Sequence, residues 1–328
     1  MKLLRLHALP AQPDLPPLAV SIGNFDGVHL GHQAMIARLQ TLARAQGLQT
    51  LVMVFEPQPQ EFFRPESAPP RLTSFREKIE LLRALGVDHV LVARFDQPFR
   101  SLSAEAFADL LRDRLNVRQL VLGDDFRFGQ DRRGDAQFLQ SHGFEVETLH
   151  TILVAGERVS STRIRQCLQA GEFAHAAELL GRRYSISGRV VYGDQIGRTL
   201  DFPTANIALR RIQPPLRGIY AVEVQPEGAR GWPGAVTGQG TAGLLPGGLF
   251  GAGHVGTRPA IAGAHEWRLE VHLPRLSANL YGLRLRVTFW SLLHGERHYP
   301  SLEALRAGIQ QDVEALGAWR AAQDQAVF

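Results

Sequence analysis

From Leu18 to about Arg183, short apolar runs alternate with stretches of helical period. The runs are LAVSIGNF (Leu18 to Phe25), TLVMVF (Thr50 to Phe55), HVLVARF (His89 to Phe95), QLVLG (Gln119 to Gly123) and FEVETL (Phe144 to Leu149), each the length of a strand. Between the first two, Met35, Ile36, Leu39 and Leu42 repeat at helical spacing and Gly47 supplies the stop, which predicts a βαβ unit. A second helix is expected from Ser74, whose hydroxyl can cap it while Glu77 closes a capping box, to near Gly86; a third runs from about Ser103 to Arg114. Strands separated by such helices imply a parallel sheet covered on both faces, with ligands beyond the strands' carboxyl ends.

After Tyr184 the pattern changes to short β-forming runs broken by Gly and Pro: YSISGRVVYG, GIYAVEVQ, EWRLEVHL and LRLRVTFW. An amphipathic helix follows from about Ser301 to Gln323. The pattern predicts a mainly antiparallel domain, a small barrel with a terminal helix, beginning near Gly181 to Ser187. Glycine-rich material from Gly228 to Gly256 reads as a long loop with little order of its own.

A chain of 328 residues should hold about two domains. Hydrophobic residues at 45% and charged residues at 21% are ordinary for a globular protein and exclude a largely disordered or fibrous one. Thirty-six Lys and Arg against 32 Asp and Glu leave +4, too small an excess for a nucleic-acid-coating surface. The excess is mostly arginine, whose planar fork suits the phosphates of small molecules equally well. A single cysteine, Cys167, excludes a disulfide framework and a Cys-clustered zinc site, so a cytoplasmic setting is expected. His7, Pro10, Pro13 and Asp14 interrupt the N-terminal segment, and neither a signal peptide nor a membrane span is expected.

The densest chemistry is Gly23-Asn24-Phe25-Asp26-Gly27-Val28-His29-Leu30-Gly31-His32, where the first strand gives way to the first helix. Two histidines three apart at a helix N-terminus can both face an anion that the free N–H groups also attract, and glycines 27 and 31 let a phosphate come close. The plainer alternative is a strand-to-helix turn with incidental histidines; no third ligand at familiar spacing supports zinc. Later, Ser161 and Thr162 with Arg163 and Arg165 at a helix start would suit a departing pyrophosphate, against the ordinary alternative of a Ser/Thr-capped surface helix.

The first run resembles the HxGH signature of the nucleotidyltransferase superfamily, in the form carried by its FAD synthetase branch. Further segments agree. Phe55-Glu56-Pro57-Gln58-Pro59 with Phe62-Phe63 is similar to the F-E-P-H-P segment, departing at Gln58. Arg71-Leu72-Thr73-Ser74 with Glu77-Lys78 is similar to the next helix start, Gly123-Asp124-Asp125-Phe126-Arg127-Phe128-Gly129 to the flavin-side loop, and Val159 to Arg165 to the second phosphate motif. The second half resembles riboflavin kinases: Gly193 to Asn206, with Gly197, Arg198 and Pro203-Thr204-Ala205-Asn206, follows G-x-x-x-G-R-x-L-G-F-P-T-A-N. Gly218 to Ala221, Gly256-Thr257-Arg258-Pro259, Glu270 to Leu273 and Leu280-Tyr281-Gly282 extend the match.

The resemblance implies an α/β Rossmann-like nucleotidyltransferase domain, residues 1–182, followed by a mainly antiparallel β-barrel riboflavin kinase domain with a C-terminal helix, residues 183–328. It implies a bifunctional enzyme that converts riboflavin and ATP to FMN and ADP, then FMN and ATP to FAD and pyrophosphate. In the first domain His29, His32, Ser161, Thr162 and Arg165 would be catalytic; Gly23, Asn24, Phe25, Asp26, Gly27, Gly31 and Arg163 would hold the nucleotide; Phe62, Asp125, Phe126 and Phe128 would face flavin. In the second, Glu270 would be the base, Gly193, Gly197 and Arg198 would surround phosphate, Thr204 and Asn206 would sit at Mg²⁺, and Arg258 would face flavin.

Three departures stand out: Asp201 for the motif's glycine, His254 where the family reads Asn before V-G-T-R-P, and Leu273-Pro274-Arg275-Leu276-Ser277-Ala278-Asn279 before Leu280-Tyr281-Gly282. They leave two rivals: an adenylyltransferase with a drifted kinase half, and a non-catalytic flavin or nucleotide sensor. No nucleic-acid or membrane partner is expected, and the chain is expected to be a monomer or weak homo-oligomer. His142, His150, His175 and His294, the tryptophans, and Arg182-Arg183 as a solvated hinge pair are expected to be structural.

Overall fold

A computed structural model describes residues 1–150, 152–193, 202–228, 232, 244–245, 248–259, 265–274, 276 and 278–325. The chain divides into two compact units, Met1–Pro69 with Phe75–Arg163, and Pro70–Ser74 with Ile164–Phe328.

In the first unit β1 (Lys2–Arg5), β2 (Leu18–Ile22), β3 (Gln49–Glu56), β4 (His89–Arg94), β5 (Val117–Gly123) and β6 (Glu145–Leu149) form one parallel sheet in the order β1-β4-β3-β2-β5-β6. Its helices are α1 (Leu30–Gln46), α2 (Pro59–Phe63), α3 (Phe75–Ala84), α4 (Gln97–Arg100), α5 (Ala104–Asp109), which runs into a π-helical turn over Leu110–Arg114, and α6 (Ala136–Ser141). All of β2 is buried, as a continuous apolar run requires of a central strand with both faces covered. Leu51 and Met53 of β3 pack with Phe107, Leu111 and Leu139 in one core, while Val52 and Val54 pack with Phe25, Ile36 and Leu82 in the other. Gly47 ends α1 in the left-handed region, φ 66°, with its N–H donating to carbonyls of the last turn. The strand order reverses at β2, with β3 on one side and β5 on the other, so the switch point lies beyond the carboxyl ends of β2 and β5.

A hairpin of β7 (Leu153–Val154) and β8 (Glu157–Arg158) leads to α7 (Ser161–Ala170), which spans the division, and α8 (Phe173–Leu180). In the second unit β9 (Ser185–Val191), β10 (Thr204–Ile207), β11 (Gly218–Pro226), β12 (Leu244–Leu245), β13 (Gly248–Pro259), β14 (His265–His272) and β15 (Arg284–His294) are antiparallel in the order β11-β15-β9-β10-β14-β13-β12. A further β11–β13 pairing closes the sheet into a barrel of six strands. Ala205 and Ile207, and Leu269 and Val271, are buried and alternate with partly exposed Asn206 and Glu270, so a period of two separates barrel filling from outer face. Helix α9 (Leu302–Gln325) closes the chain and is tied on by His294 Nε2, 2.6 Å from Asp312 Oδ1.

One reading of the sequence changes. The glycine-rich segment is not one long loop, because β13 starts at Gly248 and runs through Gly256. Its glycines serve close approach: a Cβ at Gly251 would overlap the His272 carbonyl oxygen, and one at Gly253 would lie 3.0 Å from Val222. Arg183 is exposed, with its guanidinium 3.5 Å from the centre of the Trp290 ring and its pKa lowered by partial burial.

Candidate functional site

The loop from β2 to α1 is held by two buried anchors. Phe25 and Val28 are each 1% exposed yet adopt positive φ, 47° and 41°, which for a β-branched residue is a strained conformation. Their burial in the core of α1 and α3 offsets that strain and fixes buried Asp26 and Gly27 (φ 81°) between them. His29 caps α1, its Nδ1 accepting from the His32 N–H at 3.4 Å, and the two imidazoles stack at 3.7 Å. A side chain at Gly31 would approach the His29 ring to 3.2 Å, so this glycine leaves the stack its room.

His32 is held well below the ordinary imidazole range by burial first, then by His29 and Lys78, and is therefore neutral at physiological pH. The residue is half-buried, and its Nδ1 is enclosed with no hydrogen-bond partner among the described residues. Lys78, fully buried on α3, was not assigned from sequence; its signal was a lysine beside Ile79 and Leu82 on the buried face of that helix. The Ser161 hydroxyl donates to the Asp26 carbonyl at 2.9 Å, which joins the start of α7 to the histidine loop across 135 residues of sequence. Thr162 is exposed, Arg163 pairs with Glu157, and the Arg165 Nε donates to the Pro70 carbonyl at 2.5 Å. A helix N-terminus, a neutral imidazole and hydroxyls suit an oligophosphate.

The flavin-side candidates are dispersed by burial. Phe62 is half-buried against Phe95 at 5.6 Å, Asp125 is exposed 3.7 Å from Arg158, and Phe126 is half-buried beside Phe128. Phe128 itself is 7% exposed, packed on Phe107 at 5.0 Å. Gln58, the departure in its motif, caps α2 in a capping box with Glu61.

In the barrel, β10 pairs Asn206 with Glu270 of β14 and Thr204 with His272. A cleft of about 670 Å³ is lined by Gly193, Thr204, Asn206, Leu276, Asn279 and Tyr281, among others. The Asn206 carbonyl oxygen is enclosed with no hydrogen-bond partner among the described residues, and a Cβ at Gly193 would overlap its amide. An orphaned oxygen donor beside a hydroxyl fits a hard cation that keeps most of its waters. Gly197, Arg198 and Asp201, and the side chain of Arg258, lie outside the described residues. Of the residues set aside as structural, His142 stacks on Phe138 at 4.0 Å, and Trp290 and Trp319 pack together with Phe250; the single cysteine, Cys167, is fully buried.

A parallel α/β unit with a stacked-histidine loop, followed by a closed antiparallel barrel with Asn206 opposite Glu270, is the layout of a two-unit flavin-nucleotide transferase. The family model of FAD synthetase matches residues 11–163 and that of riboflavin kinase residues 180–319. Curated relatives, each a bifunctional riboflavin kinase/FMN adenylyltransferase, cover nearly all of the chain. That of Escherichia coli (strain K12) is 43% identical over 95% of this chain and 96% of its own length. That of Pseudomonas fluorescens is 44% identical over 97% of each chain, and that of Haemophilus influenzae 40% identical over 97% of this chain and 99% of its own. The chain belongs to the bifunctional riboflavin kinase/FMN adenylyltransferase family. A crystal structure described as a macrolide-efflux protein from Streptococcus pneumoniae is similar at a TM-score of 0.75 and 25% identity, covering 97% of this chain and 100% of that one. Among the described residues of this chain, no helix is long and apolar enough to cross a membrane.

Proposed function

We propose that the family's two reactions are divided along the chain, adenylyl transfer within residues 1–182 and phosphoryl transfer within residues 183–328. In phosphoryl transfer the riboflavin 5′-hydroxyl oxygen bonds to the γ-phosphorus of ATP, the bond to the β-bridging oxygen breaks, and the hydroxyl proton passes to Glu270. FMN and ADP result. Thr204 and Asn206 would hold Mg²⁺ on the phosphates, where the ion supplies charge neutralisation, and Gly193, Gly197 and Arg198 would surround them. Arg258 would face the flavin.

In adenylyl transfer an FMN phosphate oxygen attacks the α-phosphorus of ATP and pyrophosphate leaves. No strong base is needed, because the nucleophile is already an anion. His29 and neutral His32 act as hydrogen-bond donors to developing charge, with Ser161, Thr162 and, one turn further along α7, Arg165; Arg163 joins them in holding phosphate. Residues Gly23 to Gly27 and Gly31 would form the nucleotide cradle, with Phe62, Asp125, Phe126 and the small exposed edge of Phe128 on the flavin side. The chain would work in the cytoplasm on small-molecule substrates, as a monomer or weak homo-oligomer.

The observation that carries this division is that each unit assembles its own constellation: the stacked His29–His32 pair in one, Asn206 opposite Glu270 in the other. Incubation with riboflavin, ATP and Mg²⁺ and separation of the products tests it. His29→Ala with His32→Ala should stop FAD formation, at about 10²- to 10³-fold per lost donor, while FMN still accumulates. Glu270→Gln should lower kcat for FMN formation by about 10²- to 10⁴-fold and leave FAD synthesis from supplied FMN intact. Equal loss of both products in either folded variant would refute the division.

A further inference from the structure

The outer face of the barrel carries a row of side chains that the sequence does not place together. Strand registers oppose Val191 to Asn206, Asn206 to Glu270, Glu270 to His254 and His254 to Ile219, across β9, β10, β14, β13 and β11. Directly opposed side chains start about 4.5–5.5 Å apart, so His254 flanks Glu270 on the side away from Asn206.

His254 is not loose. Its Nε2 lies 3.2 Å from Glu296 Oε1, and Arg217 Nε lies 2.5 Å from Glu296 Oε2. Burial pushes the Glu296 carboxyl up, but the hydrogen bonds from Arg217 and His254 outweigh it and hold the group below its ordinary value. An ionised carboxylate only accepts, so the imidazole must present its proton at Nε2, which leaves Nδ1 with a lone pair in the neutral ring. That nitrogen has no partner among the described residues, and the side chain is 43% exposed. The backbone is shaped for the contact: a Cβ at Gly256 would overlap both Glu296 Oε1 and His254 Nε2.

We infer that His254, oriented by Glu296 and Arg217, determines specificity for the acceptor alcohol of the kinase reaction by taking a hydrogen bond at Nδ1 from a hydroxyl of the ribityl chain. The inference rests on the kinase reading of Glu270 and Asn206 above. The base must touch the attacking hydroxyl, whose oxygen faces the γ-phosphorus, so the rest of the polyol extends past the base and away from the phosphate. Asn206 and Thr204 are on the phosphate side of Glu270, so the next rung belongs to the polyol. Glu296 and Arg217 are positioning residues that fix which nitrogen meets it.

Three variants of the full chain separate an acceptor at Nδ1 from a mere packing role. Asparagine places its amide near the Nδ1 edge of a histidine and can still accept there; glutamine reaches the Nε2 edge and can still donate to Glu296. His254→Ala should raise KM for riboflavin by about 3- to 10-fold, the worth of one lost hydrogen bond, with KM for ATP, melting temperature and FAD synthesis from supplied FMN unchanged. His254→Asn should recover most of that loss and His254→Gln little of it. An unchanged riboflavin KM in His254→Ala, or recovery by glutamine equal to that by asparagine, overturns the inference. Glu270→Gln run in parallel locates the failure: if it too keeps full kcat, the kinase-site reading has failed, whereas an inactive Glu270→Gln beside a normal His254→Ala sinks only the role of His254.

Discussion

Burial, His29 and Lys78 all oppose a proton on His32, so its folded pKa lies well below the ordinary 6.5. Below that value the unfolded chain binds a proton that the folded one refuses, so stability is complete above about pH 6.5 and is lost as pH falls toward the folded pKa. The slope from one such group is at most about 1.4 kcal/mol per pH unit. His89 and His272, both lowered chiefly by burial, act in the same direction. Urea unfolding at about pH 7.5 and about pH 5.5 should show the acid loss, and His32→Gln, which cannot titrate, should show a smaller one. An equal loss in parent and variant would mean that His32 takes up its proton as readily folded as unfolded. Gly193 makes a second single-residue case. Alanine there would displace the Asn206 amide, and a shift of about 1 Å at a positioning group can cost roughly 10²-fold in rate. FMN formation should fall by that order in Gly193→Ala while FAD formation from FMN persists; a normal kinase rate would remove Asn206 from the site.

Among the elements, α9 depends on a pairing that no local pattern announces. The His294 and Asp312 side chains are 16% and 11% exposed, and the His294 Nδ1 also lies 2.7 Å from the Gly295 carbonyl. Asp312→Ala strips an acceptor from a nearly buried imidazole and should lower stability by about 1–3 kcal/mol, read from the denaturant midpoint. A change below the error of that measurement would show that the helix is held by its apolar face alone. The same distinction explains what could be read from sequence. Strands β2 to β6 and helices α1, α3 and α5 were legible because burial on one or both faces writes a continuous or periodic apolar pattern over several residues. β1 was not, since it is only Lys2–Arg5 at the sheet edge, with Leu3 42% exposed. β13 was misread because the glycines that weaken a strand on average are those that let this barrel's strands approach. The family motifs were legible as contiguous strings. The tie of Ser161 to Asp26, the buried Lys78 beside His32 and the bond of His254 to Glu296 were not, because they join residues 135, 46 and 42 positions apart, and only tertiary folding selects such partners.

For the molecule as a whole, the division at Arg163 and Ile164 gives the barrel more chain than its strands. Phe173 of α8 is 3% exposed, with its ring centre 5.7 Å from that of Tyr220, and Ala176, Leu179 and Leu180 are fully buried. Burying one such aromatic is worth about 1.5–3 kcal/mol, so a fragment starting at Tyr184 discards several times the contribution of a single side chain. The segment Pro70–Ser74 counts with the barrel as well: Arg71 N–H donates to the Gln213 carbonyl at 3.2 Å, and Arg211 donates to the Arg71 and Leu72 carbonyls at 3.3 and 3.2 Å. Each of these bonds is worth about 1 kcal/mol, less than the helices. The denaturant midpoint for loss of the barrel should therefore fall in the order full chain, residues 164–328, residues 184–328. The larger step should be the second. Residues 164–328 should still phosphorylate riboflavin and should make no FAD, having lost His29 and His32. If residues 184–328 matched the longer fragment in midpoint and rate, α8 would be packing on the barrel without stabilising it, and the kinase half would begin where its strands do.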